Sequence, residues 1–90
     1  MLRDLAIVVD DGVAWQQIVE AVKGLSDARI QSIDLFDVYR GTGVPEGRQG
    51  LALSLSLQDP EKTLDDLAIQ ELVDQVVQVL HEQTGAELRG

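Results

Sequence analysis

The 90-residue chain is long enough for one hydrophobic core and too short for two. Its 44% hydrophobic and 26% charged residues describe a globular balance, which excludes a disordered or low-complexity chain. The absence of cysteine excludes a disulfide framework, a thiolate nucleophile and an iron–sulfur cluster; a net charge of −9 argues against a general nucleic-acid binder, which needs a basic face to displace counterions.

In chain order, Leu5 to Val9 is short and β-branched and predicts a strand, stopped by a turn at Asp10-Asp11-Gly12. Apolar residues then recur at Ala14, Ile18, Ala21, Val22 and Leu25, a helical stripe, with Gly24 where the helix ends. Ile30 to Tyr39 predicts a second strand. Its alternation is broken by the adjacent Leu35 and Phe36, which a β-bulge would reconcile. Gly41-Thr42-Gly43-Val44-Pro45-Glu46-Gly47 reads as a hairpin loop. Leu51 to Gln58 alternates Leu51, Leu53, Leu55 and Leu57 with Ala52, Ser54, Ser56 and Gln58, the clearest strand in the chain. After the turn at Asp59-Pro60-Glu61-Lys62, Asp65 is a candidate N-cap and Asp66 suits the positive end of a helix. That helix buries Ile69, Leu72, Val73, Val76 and Leu80 and ends at Gly85; Ala86 to Arg89 forms a last short strand.

The order βαββαβ predicts an α+β, ferredoxin-like architecture: a four-stranded antiparallel sheet with both helices on one face. Residues 1–90 then form a single domain. The leucines of the third strand must meet the helices, so Gly50, Ala52, Ser54 and Ser56 lie on the open face. In the first strand Leu5, Ile7 and Val9 are core, with Asp4, Ala6 and Val8 outside. If Phe36 is core, Asp37 and Tyr39 also lie on the open face. A flat heterocycle fits such a floor: base–aromatic stacking contributes about 1–3 kcal/mol per base. A carboxylate accepts hydrogen bonds only. Guanine's Watson–Crick edge offers it N–H donors, whereas adenine's edge mixes donor and acceptor. One Tyr and one Asp at a strand end also fit an exposed ring and a solvated charge, and the pattern alone favours that plainer reading. Nor does the fold decide, since it hosts many unrelated functions.

The segment Leu35-Phe36-Asp37-Val38-Tyr39-Arg40-Gly41 resembles the ferredoxin-fold anticodon-binding domain of bacterial phenylalanyl-tRNA synthetase β subunits. Four further segments resemble that family in register: Arg3-Asp4-Leu5-Ala6 with Val8-Val9-Asp10, Val44 to Gly47, Gln58-Asp59-Pro60 with Thr63-Leu64, and Gly85 to Arg89. The resemblance implies a non-catalytic tRNA-binding module at the end of a β subunit. Its partners would be the anticodon of phenylalanine tRNA, whose first base is guanine, the α subunit that carries the chemistry, and other β-subunit domains, together a heterotetramer. It implies no cofactor in the domain, ATP and magnesium serving the parent enzyme, and neither a DNA nor a membrane partner. Asp37 matches the family's hydrogen-bonding contact and Tyr39 its stacking contact. Arg40 is placed to meet a phosphate, and Ala52 and Ser54 belong to the RNA-facing floor. Two positions depart from the family. Gly50 stands where many members carry a serine implicated near the same base, and Arg48-Gln49 where many carry lysines. The chain reads as an excised domain, with a free-standing paralogue as the alternative.

Other constellations read as structural. Asp10-Asp11 and Asp65-Asp66 fit turn formation and capping, and lack a calcium-loop pattern. His81 is the only histidine, so no histidine metal cluster or catalytic triad is expected, and it suits a helix C-terminus. Gly41-x-Gly43 does not open a helix and fails as a phosphate loop. Trp15 reads as a lid over the core edge, or less favourably as a contact with a neighbouring domain. No apolar run reaches the roughly 20 residues of a membrane span, and Met1-Leu2-Arg3-Asp4 is no signal peptide, so a cytoplasmic location is expected. Two other functions remain open: a protein–protein module using the same sheet face, and a small-molecule sensor, for which no convergent polar pocket is evident.

Overall fold

A run in which every second residue is leucine becomes a central strand of the sheet, paired on both sides. The structure, a computed structural model, describes residues 1–41 and 43–89; Thr42 of the expected hairpin loop lies outside the described residues, as does Gly90. The elements are β1 (Leu2–Asp10), α1 (Trp15–Lys23), β2 (Ile30–Tyr39), β3 (Arg48–Leu57), α2 (Asp66–Thr84) and β4 (Glu87–Leu88). The sheet order is β2-β3-β1-β4 and every pairing is antiparallel. β1 and β2 therefore run parallel with β3 between them, joined through α1. β3 and β4 are related in the same way across β1, joined through α2. This is the expected ferredoxin-like arrangement.

Leu51, Leu53, Leu55 and Leu57 face a core completed by Ile7 and Val9 of β1, Ile18, Ala21 and Val22 of α1, and Ile69, Leu72, Val73, Val76 and Leu80 of α2. Both helices thus bury their apolar stripes on one sheet face, each large side chain contributing roughly 1.5–3 kcal/mol. Trp15 and Leu25 pack at the margin of this core, as does Leu35. Ala14 is exposed and serves instead as N-cap of α1, where its N–H donates to Gln17 Oε1 at 2.8 Å. Asp65 caps α2 as its sequence suggests, its Oδ1 accepting the Ala68 N–H at 2.8 Å. Gly85 closes α2 in the left-handed region at φ 74°, its N–H donating to the His81 carbonyl.

β1 and β3 extend beyond their alternating stretches, pairing from Leu2↔Ser56 to Asp10↔Arg48. Alternation marks only where one face is buried, and the backbone ladder continues past it.

The bulge in β2 is present, but Phe36 is not core. The register steps from Leu35↔Leu53 to Asp37↔Ala52, leaving Phe36 as the extra residue, 61% exposed. Leu35 takes the core-facing place. The extra residue reverses the alternation after it, so Asp37 and Tyr39 reach the open face by a different route from the one the sequence suggested.

Candidate nucleic-acid interface

The open face is built from residues that pair across three strands. Tyr39 of β2 stands opposite Gly50 of β3, which stands opposite Val8 of β1; Asp37 stands opposite Ala52, which stands opposite Ala6. Ser54 continues this row between Asp34 and Asp4. Tyr39, Asp37, Ala52 and Ser54 therefore share one side of the sheet, away from both helices. The floor beneath them is made of small side chains.

The Tyr39 ring lies over Gly50. A Cβ placed on Gly50 would collide with three ring atoms, the farthest of them Cδ2 at 2.7 Å. Glycine is what lets the ring settle onto the backbone of β3.

Arg89 reaches the same ring from the far side of the sheet. Its N–H donates to the Ala6 carbonyl at 2.7 Å, extending the β4 pairing by one residue. Its guanidinium carbon sits 5.0 Å from the Tyr39 ring centroid, within range for a cation–π interaction. The two side chains approach each other across β3 and β1, which accounts for Val8 being only 8% exposed although it faces away from the helices. Gly43 adjoins the same point: a Cβ there, at φ +83°, would stand 2.6 Å from Arg89 Nη2. A planar cation thus already uses the stacking position on Tyr39. Sequence reading missed Arg89 because the contact joins the two edge strands; its only local signal was its parity on the last strand.

Arg40 is not brought to this face. It lies on the helix side, where Nη2 donates to Gln49 Oε1 at 3.2 Å and Nε stands 3.6 Å from Asp11 Oδ1. Gln49 in turn donates to the Val13 carbonyl at 3.4 Å, so Arg40 joins the loop before α1 to the start of β3. The reason is alternation: the residue after an outward Tyr39 must turn inward.

Arg48 lies at the loop end of the open face. Its Nη2 donates to the Gly85 carbonyl at 3.3 Å. Its Nε is 3.2 Å from Asp10 Oδ1, misaligned for a hydrogen bond, and its Nη1 is 3.6 Å from Glu87 Oε2. These contacts hold β1, β3 and β4 together and spend the cation on two carboxylates. Among the described residues Arg89 makes no ion pair, so it is the cation on this face with charge to offer a ligand. No broad basic surface accompanies it, in keeping with the net charge of −9.

Asp10, Asp11 and Asp65 serve the turn and cap roles read from sequence: the Asp10 carbonyl accepts the Val13 N–H at 2.9 Å. His81 Nδ1 lies 3.1 Å from the Ala86 carbonyl oxygen, at the close of α2. Among the described residues no three metal-ligating side chains gather, and no helix is long and apolar enough to cross a membrane.

The open face thus carries one stacked aromatic and a carboxylate beside a floor of small residues. The chain belongs to the ferredoxin-fold anticodon-binding domain family, whose model matches residues 1–89. It is 43% identical over 89 residues to the phenylalanine–tRNA ligase β subunit of Dechloromonas aromatica, a match covering 99% of this chain. Against the corresponding β subunits of Vibrio vulnificus strain YJ016 and Haemophilus influenzae strain Rd the identity is 45% and 42%, over 97% of this chain. The chain spans about 11% of the length of each of these relatives.

Proposed function

We propose that the chain binds the anticodon of phenylalanine tRNA through its open sheet face, as the tRNA-recognition module of a phenylalanine–tRNA ligase β subunit. One unstacked base, the guanine that leads the anticodon, lies on Tyr39. Asp37, two residues along the same side of β2, accepts hydrogen bonds from its Watson–Crick edge. Arg89 yields the ring to the base and turns to a neighbouring phosphate. Ala52 and Ser54 leave the floor low enough for the base to approach. The module itself carries out no reaction. Aminoacylation, with its ATP and magnesium, belongs to the α subunit of a cytoplasmic enzyme in which other β-subunit domains hold this one in place.

The observation that supports this reading best is the ring of Tyr39 on Gly50 with a planar cation over it, in a chain of the anticodon-binding family. The test is titration of the chain with a phenylalanine-tRNA anticodon stem-loop, followed by amide and aromatic NMR shifts. The expected shifts cluster on Asp37, Tyr39, Gly50, Ala52 and Arg89. Shifts confined to α1 and α2 would refute the assignment. Weak binding is expected from the isolated chain, because one or two stacked bases must offset the cost of association.

A further inference from the structure

We infer that Phe36 is a second stacking platform, taking the base next to the one on Tyr39; the inference rests on the RNA-binding reading above. The chain has three aromatic residues, one each of Trp, Tyr and Phe. Trp15 packs against the core, and the other two are on β2. Phe36 is 61% exposed and takes no part in the core, an arrangement that forgoes the burial energy of a large ring.

The register explains its direction. Leu35 faces the core opposite Leu53 and Asp37 faces outward opposite Ala52, so the intervening Phe36 leaves the strand on the open side, beside Asp37. Bulges re-aim side chains in this way next to binding sites. The sheet order makes β2 an edge strand, so the ring stands at the margin of the face that carries Tyr39. Three residues at about 3.3 Å each put the backbone positions of Phe36 and Tyr39 within roughly 10 Å of one another along the strand. Phe36 has no polar group, so it holds a base of any identity by its π-face. Discrimination stays with Asp37, and Phe36 contributes affinity.

The test compares two probes, guanosine monophosphate and a guanosine-led single-stranded trinucleotide, each titrated by NMR against the 90-residue chain and its variants. Phe36→Ala should weaken the trinucleotide about tenfold and leave the mononucleotide unchanged. Phe36→Trp should restore or tighten trinucleotide binding. Unchanged trinucleotide affinity in Phe36→Ala would overturn the inference while leaving the Tyr39 site intact. An equal loss for both probes would also overturn it, since Phe36 would then act by shaping the Tyr39 site. If the substitution instead abolishes self-association of the chain with RNA affinity unmoved, Phe36 is a protein contact and the inference fails. Binding of neither probe by the unmodified chain would sink the RNA-binding reading itself.

Discussion

Tyr39 and Gly50 face each other across β2 and β3, and the ring of one occupies the space a side chain of the other would need. The pair makes the absence of a Cβ a condition of the site. Glycine in a strand interior is ordinarily a weakness of about 0.5–1 kcal/mol relative to alanine. Here it is the position at which the backbone admits an aromatic ring.

Gly50→Ala should therefore destabilise the chain by about 1 kcal/mol, the low end of overpacking costs, because the half-buried Tyr39 can rotate outward. In a Tyr39→Ala background the same substitution should stabilise, as glycine-to-alanine changes in strands usually do. Urea denaturation of the four proteins of this cycle checks the sign change. Additive effects would mean that the two residues do not act together.

Asp37→Asn replaces an acceptor-only group with an amide that both donates and accepts. Binding of a guanine-led anticodon hairpin should weaken by about 1.5–3 kcal/mol, the range for hydrogen bonds to a charged group. Binding of an adenine-led hairpin should change little. Competition between the two hairpins measures the collapse of preference directly.

The electrostatics predict an unusual salt response for an RNA-binding domain. With Arg48 engaged by Asp10 and Glu87, Arg89 is left to meet phosphates on the open face. Each phosphate contact contributes a slope of about −0.7 to the dependence of log affinity on log salt for single strands. A slope no steeper than about −2 is expected from binding isotherms across a salt series.

Acid stability has a local contribution away from the site. Arg29 donates to both carboxylate oxygens of Asp27, at 3.0 and 2.7 Å. Those hydrogen bonds hold the Asp27 carboxyl below its ordinary value of 3.8. A lowered folded-state pKa contributes stability that is present above 3.8 and lost as pH falls through the folded value. The stability difference between the chain and Arg29→Met should therefore be steady near neutral pH and vanish in strong acid. Denaturation series at stepped pH check this.

What the sequence revealed and what it hid divide by range. The leucine alternation of β3, the Asp65 cap, the Gly85 stop and the five buried positions of α2 are local patterns, and each is found where its spacing puts it. The bulge in β2 was legible as a conflict between Leu35 and Phe36. Which of them turns outward was not, because the register against β3 decides it. The same holds for Arg40, whose inward turn follows from the alternation restored after the bulge. Arg89 crosses from one edge of the sheet to meet a ring from the other, and Gly50 owes its role to a residue 11 positions earlier on another strand. Neither relationship leaves a periodic trace.

The account depends on a base lying on Tyr39, and affinity for the phenylalanine-tRNA anticodon hairpin tests it most directly when the chain is compared with Tyr39→Ala and Tyr39→Phe. Loss of the ring should cost about 1–3 kcal/mol of binding, and the phenylalanine variant should retain most of the affinity. Equal affinity for the chain and Tyr39→Ala would contradict it.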